Sequence, residues 1–361
     1  MKREIIEVIE IVLTTFIFSA AIMPVMKKVA VHIGAMDRPR ADEGHRHIHN
    51  RTMPKLGALG IFLSFLFGYI LFGEQSVQMN SILIGSFIMI LTGIVDDIHS
   101  IRAREKFLCQ LIAASVIVFY GGILLNNITA FGFNFDFGIL SYPLTLFFIV
   151  ACCNMINIVD GIDGLSGGVC SIFYITIAII GFFQGRYGSL VMILTLIMLG
   201  STLGFLVHNF YPAKIFAGDC ATFEGFIIAV ITLLEFKATA LISFFVPILI
   251  LGIPVLDTIF AIIRRALKRQ PIFSPDRQHL HHQLLGMNFS QKTTVLIIYT
   301  INILFAIAAI FYVLKDPVVG KIIYIILLLI VLWFVLKTSV ISDKNPKTIA
   351  KIKKKLTKHK N

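Results

Sequence analysis

The chain has 361 residues, of which 57% are apolar and 14% are charged, and its formal net charge is +12. A composition this apolar excludes an ordinary water-soluble protein. Apolar runs of about 17 to 25 residues, each long enough to cross a hydrocarbon layer about 30 Å thick, recur along the whole sequence. The sequence therefore predicts an all-α polytopic membrane protein without a large soluble domain.

Eleven apolar runs are predicted to be transmembrane helices, and the eighth of them is short. The first is not a cleavable signal peptide, because its long apolar stretch runs into Pro24, Lys27 and Lys28 without a small-residue cleavage site. We expect one transmembrane domain over residues 1–342 and a basic tail over residues 343–361. The predicted spans are 5–26, 57–73, 79–95, 107–125, 140–156, 165–183, 189–207, 222–235, 239–262, 293–314 and 320–341.

The positive charges indicate how these spans are oriented. With the N-terminus outside, 26 of the 32 Lys and Arg residues fall in the loops after odd-numbered spans and in the C-terminal tail. Because cytoplasmic loops are enriched in Lys and Arg, this distribution predicts an outer N-terminus and a cytoplasmic C-terminus. The net charge then reflects topology and a polybasic tail near anionic lipid. It does not indicate a nucleic-acid partner, for which the chain offers no soluble basic fold.

The segment NNITAFGFNFDFG, residues 126–138, falls on the outer side between the fourth and fifth spans. Aromatic residues alternate there with turn formers, a pattern that predicts a short β-hairpin at the membrane surface. We expect no chemical role for it.

Polar side chains cluster at the ends of three predicted spans. A charge deep in the bilayer costs at least about 2.5 to 3.5 kcal/mol, so such groups indicate a functional site. Under the predicted topology all of them face the cytoplasm. They are Asp96, Asp97, Asn154, Asn157, Asp160, Asp163, Asn209 and Asp219.

The first cluster lies in DDIHSIRAREKFLCQ, residues 96–110. Adjacent carboxylates repel each other, so either one of Asp96 and Asp97 is held protonated or both are neutralised by a cation. Lys106 and Gln110 are four residues apart and share one helix face, where they can address phosphate oxygens. The alternative is a helix end with ordinary solvated charges.

The second cluster lies in NMINIVDGIDGLSGG, residues 154–168. Asn154, Asn157 and Asp160 follow one another at intervals of three, which places them on one stripe of a helix. The glycines that follow permit a tight turn whose N–H groups can approach a phosphate or a nucleotide. The alternative is a glycine-rich loop with Asx turns.

The third cluster lies in HNFYPAKIFAGDCATFEG, residues 208–225. Lys214 offers a cation to a phosphate, and Phe216 offers a ring on which a base can stack. Asp219 is predicted to bind Mg²⁺, which needs only one or two carboxylates because water and substrate phosphates complete its octahedron. The alternative is a helix-capping Asp before the eighth span.

The fourth stretch, PIFSPDRQHLHHQLL, residues 271–285, lies in the longest predicted cytoplasmic loop. His279, His281 and His282, together with Arg277, form a compact cationic and hydrogen-bonding group suited to a diphosphate. A zinc site is the alternative, although the histidines lack the HExxH spacing and no Cys accompanies them.

Together these stretches resemble the polyprenyl-phosphate N-acetylhexosamine-1-phosphate transferases, which form glycosyltransferase family 4. The resemblance spans most of the chain and is carried by the early loop from Asp37 to Gly60, the acidic pair with KFLCQ, NMINIVDGIDGL, NFYPAKIFAGD, IPVLDTIFAIIRR and PDRQHLHH. Eleven spans with the tail inside are similar to the WecA/TagO branch rather than the related MraY branch. The resemblance implies transfer of a hexosamine 1-phosphate, most simply that of GlcNAc, from a UDP-sugar to undecaprenyl phosphate. UMP is released, and the product primes a teichoic acid, an O antigen or a capsule.

The resemblance also implies residue roles. Asp96 or Asp97 helps to deprotonate or position the lipid phosphate, and Asp219 with Asn157 holds Mg²⁺, with Mn²⁺ as an alternative. The predicted nucleotide and diphosphate site comprises Lys106, Asn154, Asp160, Asp163, Asn209, Lys214, Phe216, Arg277, His279, His281 and His282. The expected partners are a UDP-N-acetylhexosamine, undecaprenyl phosphate and membrane lipid, and a homodimer is left open.

Three segments depart from the expected pattern. The family's GDxGSxxxG appears as GDCATFEGF, with Ala221 and Thr222 in place of Gly and Ser, and with Phe226 in place of the last Gly. The early PxxGG appears as PKLGALG, with Ala58 in place of a Gly. Glu224 is an acidic residue at the start of a span, and the motifs assign it no role.

Other functions fit the sequence less well than this one. A secondary transporter places its polar intramembrane residues near the bilayer midplane, whereas here nearly all of them lie at one face. A non-catalytic lipid-binding protein has no need of so many acidic residues, and the motif spacing of the CDP-alcohol phosphotransferases is missing. Within the resembled family, a phospho-MurNAc-pentapeptide transferase is the alternative.

Overall fold

A computed structural model describes residues 2–37, 52–130, 133–238, 250–267 and 279–337, and the chain is mainly helical over these ranges. The chain divides into two units, Met1–Pro247 and Ile248–Asn361. The longer helices described in the first unit are α1 (Lys2–Ile33), α2 (Gly57–Phe72), α3 (Val77–His99), α4 (Ala103–Ser115), α5 (Ser141–Val159), α6 (Leu165–Phe183), α7 (Leu190–Asn209) and α8 (Thr222–Ala238). The helices described in the second unit are α9 (Gly252–Leu267), α10 (Leu280–Gly286), α11 (Gln291–Leu314) and α12 (Pro317–Lys337).

Two small antiparallel strand pairs interrupt the helices. Strands β3 (Asn127–Ala130) and β4 (Phe133–Asp136) are paired along their whole length, with Asn127 opposite Asp136 and Ala130 opposite Phe133. This pairing confirms the predicted hairpin. Strands β1 (Met36–Asp37) and β2 (Met53–Pro54) form a second pair between α1 and α2. This pair brings the residue after β2, Lys55, to the base of the early loop.

Six of the described helices are long and apolar enough to cross a membrane, by length and composition: α1, α3, α6, α7, α11 and the segment Gly138–Val159 that includes α5. Ile17, Ile70 and Trp333 are more than half exposed on the protein surface. Large apolar side chains are expected there when the surrounding medium is hydrocarbon. The chain is therefore a polytopic membrane protein, whereas the count of eleven spans and their orientation remain predictions.

Several helix boundaries differ from the predicted spans. Helix α1 continues past Pro24 to Ile33 instead of ending near residue 26, and α4 ends at Ser115, where a π-helical turn (Val116–Tyr120) follows. Of the predicted span 239–262, residues 239–249 lie outside the described ranges. The helix ends differ from the predicted span edges because hydropathy marks only where a helix is apolar. A helix extends through residues such as Lys27 as long as its backbone groups stay paired.

Helix α7 packs along α1 through small residues. A Cβ atom added at Gly204 would lie 2.6 Å from the Cβ of Ser19 and 2.8 Å from the backbone N of Ala20. Ser19 Oγ donates a hydrogen bond to the carbonyl oxygen of Ser201 at 2.6 Å. Small residues of this kind let membrane helices approach closely. The close packing fixes α7, whose C-terminal end leads into the loop that carries Asp219.

Phe226 fills space left by a glycine on a neighbouring helix. Phe226 is fully buried on α8, and a Cβ atom added at Gly85 of α3 would overlap its ring. A Cβ atom at Gly93, also on α3, would lie 2.6 Å from the Cα of Cys220. Helix α8 and the turn before it therefore pack closely against α3, although Phe226 stands where the family pattern has a Gly. Dense packing of a large residue against a small one is the usual way in which such a substitution is accommodated.

Replacement of Gly204 by Ala is expected to lower the free energy of unfolding by about 1 to 3 kcal/mol, because the new methyl group overpacks the contact with α1. The matched control is Gly188→Ala, since a Cβ atom there has no neighbouring atom within 4 Å. Thermal unfolding of both variants in detergent measures the difference. Equal Tm values for the two variants would contradict the close packing of α1 and α7.

Candidate active site

Three carboxylates and two lysines from separate segments meet near the end of α3 and the start of α4. Lys106 Nζ donates hydrogen bonds to Asp96 Oδ2 at 2.8 Å and to Asp219 Oδ1 at 2.6 Å. Lys55 Nζ lies 3.6 Å from Asp97 Oδ1. We call these five residues the carboxylate–lysine cluster. The fold brings the acidic pair, Lys106 and Asp219 together, and each carboxylate of the pair lies near a lysine ammonium group.

Both lysines of the cluster are held in their charged form. Burial opposes the charge of Lys55, but the neighbouring carboxylates of Asp97 and Asp219 outweigh that effect and raise its pKa. Burial likewise opposes the charge of Lys106, and Asp219 and Asp96 raise its pKa. Three carboxyl groups and two ammonium groups thus lie together in the cluster.

The turn before Asp219 approaches α3 very closely. Gly218 has a φ angle of 77°, in the left-handed region that glycine tolerates best, and a Cβ atom there would overlap the carboxylate of Asp97. The backbone N–H of Asp219 donates a hydrogen bond to Asp97 Oδ1 at 3.0 Å. The Asp219 side chain binds Lys106 instead of capping α8, so the predicted alternative of a simple capping residue does not describe its contacts.

The loop that carries Asp219 is tied to the residues after β2 by backbone hydrogen bonds. The N–H of Phe216 donates to the carbonyl of Pro54 at 2.9 Å, and the N–H of Gly57 donates to the carbonyl of Phe216 at 2.8 Å. The Phe216 side chain is half-buried, whereas Lys214 is exposed and forms no ion pair with the described residues. The predicted phosphate and base contacts of Lys214 and Phe216 remain predictions.

Asn209 and Asp163, both predicted as nucleotide-binding residues, are used to join two loops. Asn209 Oδ1 accepts a hydrogen bond from the N–H of Gly164 at 3.0 Å, and its Nδ2 donates to the carbonyl of Ile215 at 2.9 Å. Asp163 Oδ2 accepts from the N–H of Ala213 at 2.9 Å. Both side chains are about 2% exposed. Their contacts position the two loops that surround the cluster.

Asp160 lies within electrostatic reach of the cluster, in the turn between α5 and α6. Ser166 Oγ donates a hydrogen bond to Asp160 Oδ1. Burial raises the pKa of Asp160 to about 6, and the negative charge of Asp219 acts in the same direction, whereas Lys55 opposes it. The structure therefore brings the second predicted polar cluster next to the first and the third.

Two asparagines share a stripe of α5, which packs against the turn Asp219–Ala221. Asn154 Nδ2 donates hydrogen bonds to Gln110 Oε1 and to the carbonyl of Val150, both at 2.8 Å. Asn157 is half-buried, and its side chain forms no hydrogen bond within the described ranges. Its amide oxygen is thus available to a ligand.

The oxygen atoms at this site fit the preferences of Mg²⁺. Asp219 keeps 29% of its side chain exposed. Asn157 offers an unpaired amide oxygen on α5, the helix that packs against the turn Asp219–Ala221. Among the described residues, no three His, Cys, Asp or Glu side chains come together in a metal-binding arrangement. A Mg²⁺ ion held by one carboxylate, one amide and the substrate phosphates needs no such group.

In the second unit, Asp257 of α9 fixes the first of the three histidines. Asp257 Oδ2 lies 3.0 Å from His279 Nδ1, and its Oδ1 accepts from the N–H of Leu280 at 2.9 Å. Burial and the neighbouring rings of His282 and His279 hold the pKa of His281 well below its usual range. These surroundings disfavour the cationic form of the His281 ring, and the role of the histidines at a diphosphate stays a prediction. Arg277 lies outside the described residues.

Lys55 and Ser166 carry little signal in the sequence. Lys55 precedes a glycine-containing apolar span, and a single lysine at a span boundary usually indicates topology. Its contact with Asp97 depends on the pairing of β1 with β2 and of Lys55 with Phe216, which join distant segments. Only the folded chain shows that Lys55 belongs to the site.

Residues 79–235, which include four of the five members of the cluster, match the model of glycosyl transferase family 4. The chain is 39% identical, over 99% of its length and 98% of the relative's, to a Bacillus subtilis (strain 168) protein described as a probable undecaprenyl-phosphate N-acetylglucosaminyl 1-phosphate transferase.

More distant relatives carry similar descriptions. A decaprenyl-phosphate N-acetylglucosaminephosphotransferase of Mycobacterium tuberculosis is 30% identical over 76% of this chain and 74% of its own. An undecaprenyl-phosphate alpha-N-acetylglucosaminyl 1-phosphate transferase of Yersinia pestis is 29% identical over 78% of each chain. With a relative matched from end to end, the chain belongs to glycosyl transferase family 4.

Proposed function

We propose that this chain transfers N-acetylglucosamine 1-phosphate from UDP-N-acetylglucosamine to undecaprenyl phosphate and releases UMP. The observation that carries the proposal is the carboxylate–lysine cluster, formed by distant segments of a membrane protein that is similar from end to end to a relative named for this transfer. The product would prime a cell-envelope glycopolymer such as a teichoic acid, an O antigen or a capsule.

The reaction joins two anions, so the protein must offset their repulsion. An oxygen of the lipid phosphate attacks the phosphorus that bears the sugar, and the bond from that phosphorus to UMP breaks, with UMP keeping the bonding electron pair. Any proton on the attacking phosphate passes to Asp96 or Asp97. The ammonium groups of Lys55 and Lys106 lie among these carboxylates and reduce the negative charge that both substrates meet.

Mg²⁺, or Mn²⁺ in its place, is proposed to bind at Asp219 and Asn157. When bound, the ion offsets the negative charge of the diphosphate and of the leaving UMP. The partly exposed carboxylate of Asp219 and the unpaired side-chain amide of Asn157 support this assignment. The lysines would then rearrange their contacts, because Lys106 occupies Asp219 Oδ1 in the described structure.

The site is proposed to face the cytoplasm, where UDP-sugars are made. The distribution of Lys and Arg supports this orientation, since 26 of the 32 fall on the side of the acidic loops. The nucleotide would contact Asp160, and membrane lipid would surround the prenyl chain.

The purified chain in detergent is expected to release UMP from UDP-N-acetylglucosamine when undecaprenyl phosphate is present. Because the site is proposed to need a divalent cation, EDTA should stop the release and added Mg²⁺ should restore it. Coupled detection of UMP measures the rate with a panel of UDP-sugars. Activity with UDP-MurNAc-pentapeptide alone would favour the peptidoglycan transferase and contradict the proposal.

Replacement of Asp219 by Asn should reduce kcat by at least about 10²-fold, because the isosteric amide lacks the charge that the proposed cation requires. The matched control is Asp136→Asn. Asp136 is exposed in the β3–β4 hairpin and accepts only a local hydrogen bond from Gly138, so this variant should keep full activity. Unimpaired turnover in the Asp219 variant, with its Tm unchanged, would remove the metal assignment.

A further inference from the structure

Gln110 and Asn154 form an amide pair that the reaction scheme above does not use. Gln110 lies on α4 one helical turn after Lys106 and is 1% exposed. Its Oε1 accepts the hydrogen bond from Asn154 Nδ2 at 2.8 Å. The pair joins α4 to α5 directly beside the carboxylate–lysine cluster.

The orientation of both amides is determined by a backbone carbonyl. The carbonyl of Val150 can only accept, so the Nδ2 group of Asn154 must face it, and the 2.8 Å contact places it there. The second N–H of Asn154 then points at Gln110, which must present its oxygen because two amide nitrogens would repel each other. Both donors of Asn154 are thereby used, and its Oδ1 atom remains as an acceptor.

Asn154 lies on the stripe of α5 that leads to the site. Asn157 follows it by one turn, and Asp160, whose pKa responds to Asp219 and Lys55, follows at the end of the helix. The side chain of Asn154 is half-buried, so its free Oδ1 is accessible. A phosphate at pH 7 offers few donors, and the natural partner of Oδ1 is therefore an O–H or N–H group of the sugar or the base.

Gln110 itself keeps one polar atom without a partner. Its Nε2 atom is buried and has no hydrogen-bond partner among the residues that the structure describes. A buried unpaired donor costs about 1 to 3 kcal/mol, a cost that an apolar side chain of the same size would avoid. The acceptor Oε1 is the part of Gln110 that the structure uses.

We propose that Gln110 is a positioning residue. By accepting a hydrogen bond from Asn154, it fixes the amide so that Asn154 Oδ1 accepts from a hydroxyl or N–H group of the UDP-sugar. This inference rests on the proposed transferase function. It assigns Asn154 to the sugar or nucleoside part of the donor instead of its diphosphate.

The test compares Gln110→Met, Gln110→Glu, Asn154→Ala and the double variant Gln110→Met with Asn154→Ala. Methionine keeps the size of the side chain and removes the acceptor, so KM for UDP-N-acetylglucosamine should rise about tenfold while KM for undecaprenyl phosphate stays unchanged. Glutamate keeps an acceptor oxygen and should hold KM within about threefold of the unsubstituted protein. The double variant should have the same KM for UDP-N-acetylglucosamine as Asn154→Ala, because Gln110 acts through Asn154. Gln75→Met, in the exposed loop before α3, is the control.

Four results would overturn the inference. The first is an unchanged KM for UDP-N-acetylglucosamine in Gln110→Met. The second is a rise in this KM in Gln110→Glu as large as that in Gln110→Met, because that result would assign the role to the Nε2 donor. The third is a KM for UDP-N-acetylglucosamine that is higher in the double variant than in Asn154→Ala, which would indicate a structural role. The fourth is a rise in KM for both substrates, which would indicate the same. If Gln110→Met does not fold, as judged by Tm in detergent, the glutamate variant alone decides. If the proposed transferase function itself is wrong, the unsubstituted protein will release no UMP. This result distinguishes that failure from a failure of the inference about Gln110.

Discussion

The geometry of the site depends on one ammonium group, that of Lys106, which bonds to two carboxylates that would otherwise repel each other. Asp219 lies 113 positions after Lys106 in the sequence, and the 2.6 Å contact between them brings the loop before α8 to the junction of α3 and α4. Two like charges about 4 Å apart repel by about 4 kcal/mol at an effective dielectric of 20, which is a large fraction of the stability of a domain. A cation between the two carboxylates is therefore a condition for this arrangement, and the Lys106 ammonium group meets it.

Close backbone approach is the second requirement, and it connects helix packing to chemistry. The turn at Gly218 can lie against Asp97 only because no side chain intervenes, and Gly93 provides the same freedom next to Cys220. Phe226 shows that the family's glycine pattern is not needed at every position, since Gly85 on the opposite helix provides the space instead. The site requires a certain separation between α3 and α8, and more than one pair of residues can provide it.

The sequence predicts the parts of the site that depend on residue type and on the end of a span. Asp96 and Asp219 were identified because carboxylates at span ends are costly without a function, and the β3–β4 hairpin followed from local turn chemistry. Lys55 was not identified, since its contact with Asp97 depends on strand pairing between distant segments. The lowered pKa of His281 is hidden from the sequence for a related reason, because it comes from burial in the fold and no motif records burial.

Residues of the same type within one motif have different roles because their surroundings differ. In the loop after α5, Asp160 lies within reach of the charges of Asp219 and Lys55, whereas Asp163, three residues later, accepts the N–H of Ala213 and is almost fully buried. The first is placed to respond to a ligand, and the second holds the loop in which that ligand would lie. A count of acidic residues in the motif therefore overstates the number of direct ligands. The polar residues of this family member divide into a small charged cluster and a larger set of hydrogen-bonded supports that keep the cluster assembled.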